Sequence, residues 1–201
     1  LTFNVLDIMA GYYNIQYYSH AAWYKYAYAK SDDERSLSYC KSYIENMWNG
    51  IYAQIANLNS LLETIDDNKG VFSGDNYNLI KGEALGLRAY LHFDLLRLFA
   101  EAYVTGKNEE SIPYVTTLAP SVTPLFTQED ALKAMLEDLE QAKKLMANDP
   151  MRLGITPATC LASLPSGEYL SYAQNISTWH NRRFRINYYA VVATMARVYL
   201  W

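Results

Sequence analysis

Trp23, Tyr24, Tyr26 and Tyr28 fall within the six residues WYKYAY, the densest aromatic cluster of a chain with 19 tyrosines and only 6 phenylalanines. Tyrosine and tryptophan each join a large flat apolar face to one polar atom. That combination suits stacking on polar rings such as sugars. The same side chains could instead pack their segment onto neighbouring helices, the more ordinary fate of aromatics. Trp179 stands next to His180, with Asn175 and Asn181 close by. A ring flanked by amides is a second stacking platform, or an anchor for its own loop. Trp23, Tyr24, Tyr26 and Trp179 are therefore the candidate ligand-binding residues.

Other chemistry finds less support. A glycosidase needs two carboxyls held across one sugar bond, but the acidic pairs Asp66-Asp67, Glu109-Glu110 and Glu129-Asp130 fall at helix ends or in loops. Acids there are expected as caps and solvated charges. No glycine-rich phosphate loop or nucleophilic serine motif is present. His92 has no second histidine at ligand spacing. Asp94 and Arg97, three apart on a helix, read as an ion pair. Cys40 and Cys160 have no metal-type spacing, and a disulfide between them is not implied. The sequence names no catalytic residue, no metal and no cofactor.

The bulk numbers fit this picture. With 201 residues, 51% hydrophobic and 19% charged, the chain is globular and can bury roughly 70% of its unfolded surface. A net charge of −4 gives no basic footprint, so nucleic acid and anionic membrane surfaces are poor partners. No apolar run reaches membrane-spanning length. The opening LTFNVLDIMAGYYN does not read as a signal peptide. The sequence begins on Leu1, and its last helical pattern stops at Trp201 without a glycine or proline. The expectation is a longer natural chain.

These residues need a scaffold, and periodicity supplies an all-α one. Ser31-Asp32-Asp33-Glu34 reads as a helix start. Beyond it Ile44, Trp48, Ile51, Ile55, Leu58, Leu62 and Ile65 alternate steps of four and three, and Trp48 falls in the expected core register. After the turn formers of residues 66–70, a second stripe runs through Ala84, Leu87, Leu91, Leu95, Leu98 and Ala102. Two long helices over 34–66 and 76–104 should form an antiparallel hairpin. A connector with Pro113, Pro120 and Pro124 leads to the capping signal Thr127-Gln128-Glu129-Asp130 and a third helix. Residues 150–186 lack helical period and read as a long ordered loop, a kind that usually carries function. A fourth helix starts near Asn187. The expected organisation is an irregular aromatic segment over 1–33, the hairpin over 34–106, and a second helix pair with its inserted loop over 107–201. Helix pairs in series predict an irregular, tetratricopeptide-like right-handed array of hairpins, although no strict repeat marks it.

The wording of the second helix is more specific than its period. KGEALGLRAYLHFDLLRLF, residues 81–99, closely resembles the signature helix of the SusD/RagB family, glycan-binding outer-membrane lipoproteins of Bacteroidetes. Trp48-Asn49-Gly50-Ile51-Tyr52, Ile112-Pro113-Tyr114-Val115-Thr116, Leu136-Glu137-Asp138-Leu139 and Ala196-Arg197-Val198-Tyr199-Leu200 resemble neighbouring segments of that family, in its order. The resemblance implies non-catalytic capture of an oligosaccharide at the cell surface and its delivery to a SusC-like TonB-dependent transporter. It also implies an outer-membrane location through a lipid anchor that this sequence does not carry, and a C-terminal half that lies outside it. It places part of the ligand surface before the helix hairpin, where Trp23 and Tyr24 stand. Two rivals remain at this point. One is a tetratricopeptide-type scaffold for a peptide or protein helix, marked by a basic or apolar concave groove. The other is an all-α glycoside hydrolase, marked by converging carboxylates in a deep cleft.

Overall fold

A computed structural model describes residues 2–12, 18–25, 34–118, 122–153 and 182–201. Among them are seven α-helices: α1 (Thr2–Met9), α2 (Tyr18–Tyr24), α3 (Glu34–Thr64), α4 (Asn76–Phe99), α5 (Tyr103–Gly106), α6 (Gln128–Leu145) and α7 (Tyr188–Leu200). The described residues form no strand, and their one β-type pairing is an isolated bridge between Glu110 and Thr127. The all-α expectation holds. The expected helix start at Ser31–Asp33, Tyr28 and Cys160, and most of the expected loop over 150–186, lie outside the described residues.

The chain divides into two compact units, Leu1–Gln54 and Ile55–Trp201, and the division falls inside α3. The core of the first unit gathers Val5, Ile8, Ala22, Trp23, Cys40 and Met47, with Tyr39, Tyr43 and Ile44 packed against it. Positions 39, 40, 43, 44 and 47 share one helical face, so this part of α3 presents a single stripe to α1 and α2. Trp23 meets Tyr43 edge-on at 6.2 Å, and Tyr39 lies 4.6 Å from Tyr43. Cys40 is a buried free thiol. Trp48 departs from expectation. It is half-buried rather than core, with its ring 4.9 Å from Tyr52. The apolar period admitted it because tryptophan counts as apolar wherever it stands, whereas the core used the turn ending in Met47.

In the second unit the chain reverses after α3. Asp66 receives the Tyr77 hydroxyl at 2.7 Å and Lys81 at 2.8 Å, while Asn59, two turns back, meets Arg88 two turns on. The end of α3 and the start of α4 therefore run antiparallel. α4 packs along α6, and α6 against α7. Glycines make the closest approach. A Cβ on Gly82 would stand 2.5 Å from Met146 Cγ, and one on Gly86 would stand 3.0 Å from side-chain carbons of both Ile186 and Val191. These two positions, one turn apart on the signature helix, are bare so that α4 can lie against the end of α6 and the start of α7.

The register of α4 corrects the predicted stripe. Ala84 and Leu95 are buried as expected, but Leu87, Leu91 and Leu98 are half-buried and Ala102 is exposed. The buried face is centred on Leu85, Arg88, Ala89, His92, Phe93 and Leu96. Hydropathy misplaced it because two of its positions are polar. α4 also ends at Phe99, five residues earlier than predicted, where Ala100 turns extended (φ −93°, ψ 161°). The caps are as the sequence implied. Thr127 Oγ1 accepts the Asp130 N–H at 3.1 Å, and the Asn187 side chain accepts the Ala190 N–H at 3.0 Å.

Candidate functional site

The side chains that look most like a catalytic group form a closed structural network. Arg88 donates to both oxygens of Asp138 at 2.7 Å and to Asn59 Oδ1 at 3.0 Å. The Tyr114 hydroxyl donates to Asp138 Oδ2 at 2.6 Å. Asn59 donates to the Val115 carbonyl at 3.0 Å. His92 Nδ1 faces the Arg88 carbonyl at 2.9 Å, so that nitrogen carries the proton and donates. Its Nε2 accepts the Val115 N–H at 3.0 Å. Burial pushes the His92 imidazole down to about 3, against the pull of the Arg88 carbonyl, and pushes the Tyr114 hydroxyl well above its ordinary value. His92 is fully buried, and both Asp138 oxygens are engaged. A neutral, fully bonded imidazole beside an engaged carboxylate has no place for a reacting atom. The network pins the 112–116 connector to α3, α4 and α6.

A second cluster fixes α7. Asp149, wholly buried, accepts from Arg182 and from the Tyr188 backbone N–H. Glu83 of the signature helix takes Arg182 at 3.0 Å and Arg185 at 2.6 Å. Here too the charges are paired with one another.

The sequence candidates separate. Trp23 is 3% exposed and sits in the core of the first unit, while its neighbour Tyr24 is 41% exposed. One step along a helix turns a side chain by about 100°, so the pair cannot share an environment. Tyr26 and Trp179 lie outside the described residues. Of the four, Tyr24 is the described side chain that offers an accessible ring.

The second unit holds an aromatic surface that the sequence reading did not single out. Tyr103 of α5, Leu132 and Leu136 of α6, and Val198, Tyr199 and Trp201 at the end of α7 line an open groove of about 260 Å³, with Glu129 and Lys133 on its rim. Glu129 and Lys133 pair at 3.0 Å across one helical turn. Tyr199 is 69% exposed and Trp201 half-buried. The Trp201 indole N–H donates to Gln128 Oε1 at 3.5 Å, and its ring stands edge-on to Phe93 at 6.1 Å. Rings over an apolar floor, beside one carboxylate and one ammonium, can hold a polar ring by stacking and hydrogen bonds without altering it. Tyr103 and Trp201 are nearly a hundred positions apart, so no local pattern joins them.

Among the described residues, no group of three or more His, Cys, Asp or Glu is placed to hold a metal ion. No described helix is long and apolar enough to cross a membrane. A SusD-like family model, described as starch-binding and associating with the outer membrane, matches residues 8–164. The chain belongs to the SusD-like family. The fold agrees. The crystal structure of a provisionally named sugar binding protein from Bacteroides vulgatus ATCC 8482 superposes with a TM-score of 0.57 at 20% identity, over 93% of this chain. The SusD-like chain spans 33% of that structure's length. No curated protein matches it.

Proposed function

We propose that this SusD-like protein captures oligosaccharide at the cell surface, without chemistry, and passes it to a SusC-like TonB-dependent transporter of the outer membrane. In this reading it is a lipid-anchored, surface-exposed protein of a Bacteroidetes species, and its body is a tetratricopeptide-like series of hairpins. The observation that carries the binding step is the groove of Tyr103, Tyr199 and Trp201 with Glu129 and Lys133 on its rim. It joins stacking faces to hydrogen-bonding groups, the combination that sugar recognition needs. Family membership supports the same reading. In the first unit Tyr24 is the ligand contact we propose, with Trp23 as its rooted neighbour and Tyr26 and Trp179 as further members.

The test is calorimetric titration with malto-oligosaccharides and a panel of other neutral oligosaccharides. Tyr199→Ala and Tyr24→Ala are compared with wild type. Each stacked ring is a weak contact, so dissociation constants in the micromolar-to-millimolar range are expected, weakened several-fold by whichever substitution touches the ligand. Absence of binding across the panel would overturn the proposal. Co-purification with a transporter from outer-membrane extracts tests the delivery step.

A further inference from the structure

Trp201 also lines a second depression, slightly smaller and differently charged. Phe93, Arg97, Arg197, Leu200 and Trp201 enclose about 230 Å³. The Arg97 guanidinium carbon lies 5.8 Å from the centre of the Phe93 ring. That of Arg197 lies 5.3 Å from the same ring and 5.6 Å from the Tyr90 ring. Two cations thus lie against one aromatic ring, within the range of cation–π attraction.

One acid stands between them. Asp94 Oδ1 receives Arg97 at 3.2 Å and lies 3.9 Å from Arg197. Burial raises the Asp94 carboxyl above its ordinary value, against the pull of the two arginines. The balance is two positive charges against one negative. Each guanidinium has five donors. Among the described residues Arg97 spends one of them on Asp94, and Arg197 approaches Asp94 only at ion-pair distance. Both side chains are accessible, at 37% and 41% exposure. An apolar floor, a tryptophan wall and an excess positive charge with unspent planar donors fit one chemical class: a sugar ring bearing a carboxylate.

We propose that this depression binds the carboxylate of a uronic-acid residue, with Arg97 and Arg197 as donors and Trp201 as the stacking wall. Building on the glycan-binding reading, it assigns the protein an acidic class of oligosaccharide. A carboxylate is the closest match because a planar fork meets it with two parallel hydrogen bonds.

The experiment compares an oligogalacturonide with its methyl-esterified form, which keeps the rings and removes the charge. A malto-oligosaccharide and a sulfated oligosaccharide are run in parallel, with calorimetry for affinity and the Trp201 indole N–H resonance as a local reporter. The acid should bind about tenfold more tightly than the ester, a margin that shrinks as salt is added. Arg97→Gln and Arg197→Gln should each remove most of that margin by weakening the acid far more than the ester, and Arg97→Lys should keep part of it. Circular dichroism checks the fold of each variant, and both arginine heads are exposed enough for the substitutions to be tolerated. Equal affinity for acid and ester, or a preference that survives both glutamine variants, overturns the inference while leaving neutral glycan binding intact. Tighter binding of the sulfated sugar than of the uronate overturns the carboxylate assignment. Failure of every sugar, neutral and acidic, overturns the glycan reading itself and the inference with it.

Discussion

Arg88 of α4 holds Asp138 of α6 through two parallel hydrogen bonds, Nε to Oδ2 and Nη2 to Oδ1, both 2.7 Å long. Both side chains are nearly solvent-free, at 8% exposure each. The fork-to-fork geometry fixes the rotation of one helix about the other, which a purely apolar contact would leave looser. It also brings in the connector, because Tyr114 and Asn59 satisfy the remaining polar capacity.

Removing one member of this pair should therefore be costly. Arg88→Met leaves Asp138 buried with only the Tyr114 hydroxyl, and a loss of about 3–5 kcal/mol is expected. The double variant Arg88→Met, Asp138→Leu should recover part of that loss, because it removes the orphaned charge. Urea denaturation of the two single variants and the double variant, read as a double-mutant cycle, measures the coupling. A loss below about 1 kcal/mol in Arg88→Met would mean that water reaches the pair.

His92 gives a pH prediction. Unfolded, the imidazole takes its proton near 6.5, and folded it does so only near 3. Between those values the unfolded chain binds the extra proton, so stability rises with pH across the window. The contribution is complete above about 6.5 and is lost as pH falls toward 3, at a limiting slope of about 1.4 kcal/mol per pH unit. Denaturant midpoints from pH 7 to pH 4, compared with His92→Gln, isolate this residue from the carboxylates. The variant should be less stable at pH 7, and the gap should narrow on acidification.

Two glycines should respond in opposite directions to the same change. A Cβ on Gly50 of α3 would meet nothing within 4 Å. Gly50→Ala should gain about 0.5–1 kcal/mol from helix propensity. A Cβ on Gly82 would strike Met146 Cγ at 2.5 Å and approach the Ala142 carbonyl at 3.2 Å. Gly82→Ala should lose about 1–2 kcal/mol after the propensity gain is subtracted from the overpacking cost. Thermal melts of the two variants decide the signs.

Trp23 and Tyr24 should likewise part company. Trp23→Ala empties a core position and should cost about 3–5 kcal/mol. Tyr24→Ala removes a ring that is 41% exposed and should cost less, about 1 kcal/mol. Tyr24→Ala is thus the milder probe of ligand contact in the first unit. Denaturation curves for both variants establish this before any sugar is added.

The sequence by itself determined the four longest helices and the family, but it read residues 1–33, which hold α1 and α2, as irregular. Steps of three and four placed α3, α4, α6 and α7. The capping signal at Thr127 marked one helix start to the residue and the start near Asn187 was read closely, since a cap is a bond between near neighbours. The order of short segments around KGEALGLRAY carried the family resemblance, which the match over residues 8–164 bears out. Only the tertiary structure decided which faces are inside and which rings share a surface. Periodicity ranks residues by their own hydropathy, so it put Leu87 and Leu91 in the core and left Arg88 and His92 outside. The fold buries Arg88 and His92 and leaves Leu87 and Leu91 half-buried, because Asp138, Asn59 and the Val115 N–H arrive from distant segments to satisfy the polar pair. Trp48 was overrated, and Tyr103, Tyr199 and Trp201 were overlooked, for the same reason. The worth of a side chain depends on partners far off in sequence, and its own identity and spacing say nothing of where those partners come to rest.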